Sequence, residues 1–450
     1  MPEPNPIFRR KLYSRLLEWK SSENGRTALL IEGARRVGKS TLAREFGTNE
    51  YESYLLIDFS KASPRVHELF DDISDLDRLF MQLQFEFRVS LTPRKSLVIF
   101  DEIQFCPKAR QAIKHLVEDG RYDYIETGSL ISISRNVMNI LIPSEEEHIK
   151  LNPLDFEEFL WAIGDEATPD LLRQCLKTKV PPGNSHRSLM RTFRLYMLVG
   201  GMPQAVAEYI RTNDLFRVDK IKRNIIELYL ADLRKIDNSG RISRLFEDVP
   251  AQLNRGASRY MVHSAIGDVD EKKADTFISE LAASMTVNLC YHTADPANGL
   301  AMDFDKDYFK IYLADTGLFI TLAFWDNGAA DNEIYNKLLS DKLSANLGFV
   351  YENVTAQILV SASRKLFYYT FEAPNRHLYE VDFLISSGAK VKPIEVKSSG
   401  YMTHKSLDVF MNKYSAKAIN PVVVFTKDYR KEGNITYLPI YLLPFYLEDR

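Results

Sequence analysis

The run G-A-R-R-V-G-K-S-T at 33–41 has the residue types and spacing needed to bind the phosphates of a nucleoside triphosphate. It fits the pattern G-x-x-x-x-G-K-[ST], in which glycines let backbone N–H groups close around phosphate oxygens. The lysine then reaches the outer phosphates, and the next hydroxyl binds Mg²⁺. The sequence therefore predicts a phosphate-binding loop formed by Gly33, Arg36, Gly38, Lys39, Ser40 and Thr41.

A pair of carboxylates further along the chain supplies a second part of this chemistry. Asp101 and Glu102 directly follow the apolar run 96–100. A carboxylate at the tip of a strand can hold Mg²⁺, and a second one can orient the attacking water. We expect Asp101 to bind the metal and Glu102 to act on the water, with ATP and Mg²⁺ as cofactors. Thr127 and Ser129 follow the next apolar run. Their hydroxyls either sense the γ-phosphate or only form a turn, since T-G-S is ordinary turn chemistry.

A second group of candidate residues lies near the C-terminus. Asp382 is in one strand-like run and Glu395 and Lys397 are in the next, with the turn 386–389 between them. If the runs pair as a hairpin, Asp382 lies opposite Glu395 and Lys397, which share one face of their strand. Two carboxylates can bind Mg²⁺ and a lysine can position a water. Glu352, on the preceding predicted helix, would add a third carboxylate. The alternative is a salt-bridged hairpin without catalytic activity.

The elements that must position the first site alternate between strand and helix. This alternation predicts a parallel sheet covered on both faces, with ligands at the carboxyl ends of its strands. The strand-like runs are 27–31, 54–58, 96–100 and 124–126, and the helical stretches are about 65–90 and 107–119.

The middle of the chain is predicted to be mainly helical. We interpret Gly200-Gly201, followed by Pro203, as a junction between two helices. Small helices followed by strand-like runs at 258–262, 287–291 and 309–313 suggest a winged-helix region. Such a region binds DNA in many proteins or serves as a packing module. The candidate recognition helix at 271–283 has no basic surplus, since Glu271, Asp275 and Glu280 stand against two lysines, and this favours packing.

Composition indicates an ordinary globular protein that contacts no membrane. The 450 residues include 58 Lys and Arg against 61 Asp and Glu, and only three cysteines. Isolated cysteines suit a reducing cytosol, and no apolar signal core or membrane-length apolar run is visible. We therefore expect a cytoplasmic location. Residues 336–450 carry 15 Lys and Arg against 11 Asp and Glu. This bias favours nucleic-acid contact, although solvated lysines would give the same count.

Taken together, the motifs resemble a family of prokaryotic AAA-superfamily ATPases. In that family, the ATPase core is fused to a C-terminal domain of unknown function. The segments that carry the resemblance are the phosphate loop, I-F-D-E-I-Q, E-T-G-S-L, L-N-P-L-D-F-E-E-F-L at 151–160, L-V-G-G-M-P at 198–203, K-I-Y-L-A-D-T-G-L at 310–318 and the Y-E-V-D-F…P-I-E-V-K-S segment at 379–398.

One departure from the family concerns the arginine finger. Relatives commonly carry a Gly-Arg pair where this chain reads I-P-S-E-E-E-H-I at 142–149. Arg135 is the nearby alternative, although its sequence context favours a solvated surface arginine. Without a finger, hydrolysis by the protein alone should be slow, because that charge contributes about 10³–10⁵ in rate. A neighbouring copy could supply it, so self-association is one possibility.

The C-terminal residues resemble the PD-(D/E)xK arrangement of restriction-endonuclease-like enzymes. The predicted fold class is therefore α/β, with an ATPase domain at 1–165, a helical and winged-helix-like region at 166–335 and a nuclease-like domain at 336–450. The predicted function is Mg²⁺-dependent ATP hydrolysis coupled to a domain that contacts nucleic acid. The alternatives are a nucleotide-dependent switch with a non-catalytic recognition domain and an ATP-gated nuclease. The sequence identifies no protein partner.

Overall fold

The computed structural model describes residues 6–128, 143–326, 332–340, 348–372, 378–399 and 403–448. The chain divides into two compact units. The N-terminal unit comprises residues 1–152 with 283–285, and the C-terminal unit comprises 153–282 with 286–450.

The N-terminal unit is built from alternating strands and helices. The strands are β1 (Ala28–Glu32), β2 (Ser53–Asp58), β3 (Ser96–Asp101), β4 (Asp123–Gly128) and β5 (Glu146–Lys150). The helices are α1 (Leu12–Glu23), α2 (Lys39–Glu50), α3 (Pro64–Glu68), α4 (Leu76–Phe87) and α5 (Pro107–Asp119), with a short 3₁₀ turn at Ile103–Phe105.

These strands form one parallel sheet in the order β2-β3-β4-β1-β5. Every residue of β1, β3 and β4 is buried, as expected for central strands with both faces covered. Because the strands are parallel, the carboxyl ends of β1, β3 and β4 meet at one edge of the sheet. The predicted parallel sheet is therefore confirmed, and it brings the first group of candidate residues to a common edge.

The helical stretch predicted at about 65–90 is interrupted in the structure. The structure has two helices there, α3 and α4, separated by turns and bends. Asp75 accepts a hydrogen bond from the backbone N–H of Arg78 at 2.9 Å and so caps the start of α4. A carboxylate in this position favours a new helix N-terminus over a continuous helix.

The C-terminal unit begins with a series of helices. These are α6 (Phe156–Ala162), α7 (Thr168–Thr178), α8 (His186–Val199), α9 (Pro203–Thr212), α10 (Leu215–Ile236), α11 (Arg241–Glu247), α12 (Val249–Asn254), α13 (Val262–Ile266) and α14 (Glu271–Ala283). Its later helices are α15 (Thr316–Ala323), α16 (Asn332–Ser340), α17 (Gly348–Ser361), α18 (Lys405–Lys413) and α19 (Leu443–Tyr446).

The strands of the C-terminal unit form a mixed eight-stranded sheet in the order β12-β13-β11-β10-β9-β8-β6-β7. They are β6 (Val287–Thr293), β7 (Phe304–Leu313), β8 (Leu366–Glu372), β9 (Leu378–Ser387), β10 (Lys390–Lys397), β11 (Val422–Phe425), β12 (Arg430–Glu432) and β13 (Ile435–Pro439).

Within this sheet, α17 leads into the antiparallel strands β8, β9 and β10, and α18 then leads into β11, which is parallel to β10. The order is therefore helix, three antiparallel strands, helix and parallel strand. α17 packs across β7, β8 and β10. Phe410 of α18 belongs to an apolar cluster with Val381 of β9. Alternation along β9 directs Val381 and Asp382 to opposite faces.

The winged-helix prediction needs correction in two places. The strand expected at 258–262 is absent, because Tyr260 makes a single backbone hydrogen bond to Phe309 and α13 begins at Val262. The predicted hairpin does form as β6 and β7, but β6 also pairs with β8 in parallel. The hairpin is therefore an edge of the large sheet.

Across the part of the chain that the structure describes, a membrane-spanning helix is missing, since none is both long enough and apolar enough.

Candidate functional sites

The candidate phosphate loop lies between β1 and α2. Gly33 follows β1 directly, and a Cβ at this position would lie 2.5 Å from the carbonyl oxygen of Leu151. Gly38 has a φ of 101° and Arg36 a φ of 71°, both in the left-handed region. Lys39 is the first residue of α2. The backbone thus turns tightly into a helix N-terminus, where N–H groups and the helix dipole favour anions.

Lys39 folds back over the loop. Its Nζ donates hydrogen bonds to the carbonyl oxygens of Gly33 at 2.9 Å and Ala34 at 3.1 Å. The residue is only 6% exposed. Burial lowers the pKa of Lys39, while Glu102 and Asp101 oppose this effect. A phosphate that enters the loop would therefore compete with two carbonyls for this ammonium group.

Ser40, Asp101 and Thr127 meet at the carboxyl edge of the sheet. Ser40 Oγ donates to Asp101 Oδ1 at 2.6 Å, and Thr127 Oγ1 donates to the same oxygen. The backbone N–H of Glu102 donates to Thr127 Oγ1 at 3.3 Å. Three residues from different parts of the sequence thus share one hydrogen-bond network beside the loop.

The oxygens of Ser40 and Asp101 fit the coordination chemistry of Mg²⁺. This ion requires oxygen ligands and is commonly held by one or two protein groups together with substrate phosphates. The hydroxyl and carboxylate oxygens lie 2.6 Å apart, so one cation can contact both.

Glu102 adopts a left-handed backbone conformation, with a φ of 54°. Its carboxylate accepts a hydrogen bond from the side-chain amide of Gln104. Such backbone conformations are uncommon outside glycine and cluster at functional sites. Gln104 could not be identified from the sequence, because a glutamine after a carboxylate pair belongs to no recognisable motif.

Arg10 is a further contact of the loop that the sequence did not reveal. Its guanidinium donates to the carbonyl oxygen of Val37 at 3.0 Å and to that of Asn152 at 2.6 Å. The first carbonyl is in the loop and the second follows β5, so Arg10 connects the loop to the end of the sheet. An arginine ahead of α1 is indistinguishable in sequence from an exposed one.

Arg36 and Thr41 are exposed, and their contact with phosphate stays a prediction. Ser129, the other predicted hydroxyl, lies outside the described residues, and so does Arg135.

The acidic stretch that stands where relatives have Gly-Arg contributes to a buried ion-pair cluster. Glu146 binds Arg110 at 2.6 Å, and both side chains are almost fully buried. His148 contacts Glu146 at 2.8 Å and Glu32 at 2.9 Å, and hydrogen bonds to these two carboxylates raise the pKa of His148 to about 10. Burial, followed by the charge of Glu146, raises the pKa of Glu126 well above its ordinary value. Glu146 is therefore engaged by Arg110 and His148 inside the N-terminal unit.

The second group of predicted residues also comes together. β9 and β10 form the expected antiparallel hairpin. Lys397 Nζ lies 2.7 Å from Glu395 Oε1, and the backbone N–H of Val396 donates to Asp382 Oδ2 at 2.6 Å. Glu352 lies on α17, which packs over this face of the sheet. The charge of Asp382 contributes to the raised pKa of Glu352.

Two further charged residues, Lys310 and Glu380, join this group. Lys310 of β7 forms an ion pair with Glu380 of β9, and its Nζ lies 4.0 Å from Glu352 Oε2. Tyr312 donates to the same oxygen of Glu352 at 3.3 Å. In the sequence, Lys310 is visible only as a lysine within an apolar strand. Its partners could not be predicted, because they are distant in sequence. We call the four carboxyl residues the acidic centre: Glu352, Glu380, Asp382 and Glu395.

Burial is the main influence on the protonation of the acidic centre. It raises the pKa of Glu352 to about 7, of Asp382 to about 6 and of Glu395 to about 8. Neighbouring carboxylates add to each shift. Burial lowers the pKa of Lys310, but the carboxylates outweigh it, with Glu380 the strongest, and the net shift is upward. Lys310 is therefore a buried, charged ammonium group.

A metal ion does not fit the acidic centre in this arrangement. Throughout the described ranges, no group of three or more His, Cys, Asp or Glu side chains could hold one. Within the centre, Glu380 and Glu395 already bind lysine ammonium groups. The predicted residues are thus near one another. Glu395 Oε1 is paired with Lys397, whereas Glu395 Oε2 is buried without a hydrogen-bond partner.

The G-G-M-P and A-D-T-G-L segments meet in a junction of the C-terminal unit. A Cβ on Gly317 would lie 2.6 Å from the Cα and N atoms of Gly200. Asp315 accepts from the backbone N–H of Gly201 at 2.6 Å and also caps α15. Buried Lys222 donates to backbone carbonyls on both sides of this contact. The interpretation of Gly200-Gly201 as a helix junction is confirmed.

Comparison with known families agrees with the topology of the N-terminal unit. Residues 25–160 match the family described as AAA domain. Residues 190–329 and 347–443 match two domains of unknown function, DUF8612 and DUF4143. The chain therefore carries an AAA domain at its N-terminus. The comparisons assign no nuclease-like fold to the C-terminal residues.

Among solved structures, the chain is similar to PCH-2 from C. elegans, with 10% identity and a TM-score of 0.27 over 47% of this chain. The chain spans 65% of the length of that protein. It is also similar to Aeropyrum pernix Orc1, solved in complex with DNA, with 12% identity and a TM-score of 0.29, covering 76% of this chain and 95% of that one.

The Thermotoga maritima RuvB Holliday junction branch migration motor is similar at 13% identity and a TM-score of 0.29, covering 63% of this chain and 91% of that one. At these levels the three likenesses carry no conclusion about activity. No curated protein matches the sequence.

Proposed function

We propose that this protein binds and hydrolyses ATP with Mg²⁺ in its AAA domain and that its C-terminal unit contacts nucleic acid without cutting it. The observation that carries the first part is the Ser40–Asp101 contact beside a loop folded around Lys39. The proposal includes three domains: an ATPase domain at 1–165, a helical connecting region at 166–335 and a nuclease-like domain at 336–450.

In this proposal each residue of the first site has a defined task. Lys39 exchanges its loop carbonyls for the outer phosphates of ATP, and the loop N–H groups bind the remaining oxygens. Ser40 and Asp101 hold Mg²⁺, which neutralises charge on the phosphates. Glu102 orients the water that attacks the γ-phosphate in line with the leaving oxygen. Thr127 fixes the carboxylate of Asp101.

Hydrolysis by the protein alone should be slow. Within the acidic stretch that replaces Gly-Arg, Glu146 pairs with Arg110 and with His148 of the same stretch. An arginine finger is worth about 10³–10⁵ in rate. We infer that a neighbouring copy supplies this charge, so hydrolysis per molecule should rise with protein concentration as assemblies form.

The test of the ATP site compares Lys39→Ala with Lys108→Ala. Lys108 lies on α5 of the same unit, where its side chain is 59% exposed and pairs with Asp71. Such exposed pairs contribute little to stability. Lys39→Ala should lose ATP binding and hydrolysis while Lys108→Ala retains both. Equal binding and turnover in Lys39→Ala and the parent would refute the site.

The proposal for nucleic acid depends on the C-terminal unit. Its support is the order of helix, three antiparallel strands, helix and parallel strand, which the PD-(D/E)xK arrangement also has. Glu352 lies on the first helix, and Asp382, Glu395 and Lys397 lie on the hairpin. The basic bias of 336–450 favours a polyanionic partner. ATP hydrolysis by the wild type, measured with and without nucleic acid, tests the coupling. Stimulation supports it, and an unchanged rate contradicts it.

The ATP-gated nuclease is the second candidate for this unit. The ion pairs of Lys310 and Lys397 favour the non-cutting form. Incubation with single- and double-stranded DNA and RNA in Mg²⁺ or Mn²⁺, with ATP, distinguishes the two. We expect intact nucleic acid. Cleavage that disappears in Asp382→Ala and Lys397→Ala would establish the nuclease instead.

A further inference from the structure

The acidic centre contains a cation that comes from another part of the chain. Lys310 lies on β7, which is separated from β9 by β6 and β8 in the sheet. It nevertheless forms an ion pair with Glu380, and Tyr368 lies beside it, with its ring centroid 5.3 Å from Nζ. β7 precedes α17 and the hairpin in sequence, so this lysine is additional to the Glu395-x-Lys397 pair.

The position of Lys310 is fixed by its surroundings. Its side chain is only 7% exposed, and its ammonium group contacts carboxylates from both β9 and α17. A lysine ammonium is a compact charge with three donors and no acceptor. It uses the same carboxylate oxygens that a divalent cation requires as ligands.

The charges of the centre support the same conclusion. Lys310 binds Glu380 and approaches Glu352, and Lys397 binds Glu395. Asp382 is stabilised by a backbone N–H. Each carboxyl group therefore has a partner within the chain through at least one oxygen, and Glu395 Oε2 is a buried oxygen without a hydrogen-bond partner. The two ammonium groups offset part of the attraction that the four carboxyl groups would exert on a divalent ion placed here.

We propose that Lys310 is a built-in cation that takes the place of a divalent metal ion in the acidic centre. The centre then binds neither Mg²⁺ nor Mn²⁺, and its buried charges hold α17 on the sheet. This inference rests on the part of the proposed function which states that the C-terminal unit does not cut nucleic acid, and it gives a reason for that property.

Mn²⁺ binding to the full-length protein tests the inference without any activity assay. All variants carry Asp101→Asn, so that the ATP site does not add Mn²⁺ of its own. The paramagnetic signal of free Mn²⁺ is followed during titration of four proteins: the background itself, Lys310→Met, Lys310→Arg and Lys310→Met with Asp382→Asn. Lys310→Arg keeps the charge, and Lys310→Met keeps the volume.

We expect no saturable Mn²⁺ binding in the background protein or in Lys310→Arg. Lys310→Met should gain a stoichiometric site, and Asp382→Asn should remove it again. Saturable binding in the background protein that disappears with Asp382→Asn would overturn the inference. So would a folded Lys310→Met variant that gains no site, because Lys310 would then not be what excludes the ion.

Loss of Lys310 leaves buried carboxylates less compensated, so folding of the variant needs its own check. Circular dichroism and thermal unfolding serve this purpose, and Lys310→Gln, which keeps hydrogen-bond donors, replaces Lys310→Met if the latter does not fold. Nucleic-acid binding is measured separately, with a labelled oligonucleotide. If only that binding is missing, the proposed function fails while the result on the metal still stands.

Discussion

At the scale of single residues, the ATP site depends on side chains that act through one another. Ser40 and Thr127 both donate to one carboxylate oxygen of Asp101. Thr127 also accepts from the N–H of Glu102. One hydroxyl therefore connects the residue that we propose for Mg²⁺ with the residue that we propose for the water.

Replacing Thr127 by valine tests this connection. The substitution keeps the shape but removes the hydroxyl, so Asp101 loses a donor and the N–H of Glu102 loses its acceptor. We expect kcat for ATP hydrolysis to fall about 10- to 100-fold, the usual effect of a supporting contact, with little change in ATP affinity. Thr127→Ser should retain most of the activity. An unchanged kcat in Thr127→Val would leave the hydroxyl with only its turn-forming role.

His148 should make the stability of the N-terminal unit depend on pH. Its pKa is raised from 6.5 to about 10, so its contribution is complete below pH 6.5 and is lost as pH rises through about 10. Because the side chain is 44% exposed, we discount the effect to about 1–2 kcal/mol. Urea unfolding near neutral pH and near pH 10 should show this loss in the wild type. His148→Gln should weaken it.

The control for this experiment is His115→Gln, which changes an exposed histidine of α5 whose closest carboxylate contact is at 4.0 Å. It should leave the pH dependence of unfolding as in the wild type. If His148→Gln behaves like His115→Gln, the ion-pair cluster does not hold the proton that we assign to it.

At the scale of elements, close backbone contacts decide how the C-terminal unit is joined. The end of α8 and the start of α15 approach so closely that both Gly200 and Gly317 lack space for a side chain. Asp315 and Lys222 then satisfy the backbone groups around the contact. This junction gives the G-G-M-P and A-D-T-G-L segments a structural role.

Gly317→Ala should destabilise the C-terminal unit by about 2–3 kcal/mol, since its Cβ would meet backbone atoms that cannot move aside easily. The matched control is Gly433→Ala, where a Cβ meets nothing within 4 Å and only the left-handed φ of 57° opposes alanine. We expect about 1 kcal/mol there. Chemical denaturation of the full chain measures both. Equal effects would show that the junction relaxes.

Sequence patterns predicted the local elements far better than the contacts between them. The phosphate loop, the alternating strands and the β9–β10 hairpin follow from periodicity and turn residues. The ion pair of Lys310 with Glu380 does not, because 70 residues separate the partners. Likewise, nothing in the run 287–291 indicated that β6 would pair with β8. Such long-range pairing depends on burial that a local pattern does not contain.

At the scale of the whole molecule, two compact units divide the proposed tasks. The proposed nucleotide site lies entirely in the N-terminal unit, and the acidic centre lies entirely in the C-terminal unit. Each unit has an apolar core of its own. A ligand of one unit should therefore act first on the stability of that unit.

Thermal unfolding with and without ADP and Mg²⁺ examines this division. Binding should stabilise the N-terminal unit by about 2.7 kcal/mol at a ligand concentration of 100 times Kd. Lys39→Ala should show no such shift, whereas Lys108→Ala should show all of it. A shift that persists in Lys39→Ala would place nucleotide binding elsewhere.

The guanidinium of Arg10 has a practical consequence for anyone who isolates the AAA domain. A fragment cut at residue 25, where the family match begins, would discard both this side chain and the buried Leu16 and Trp19 of α1. The carbonyls of Val37 and Asn152 would lose their donor, and the loop would be free to loosen before any nucleotide arrived. Truncations that keep residue 6 onward should bind nucleotide more tightly than those that start at residue 25, as calorimetric titration of the two fragments would reveal.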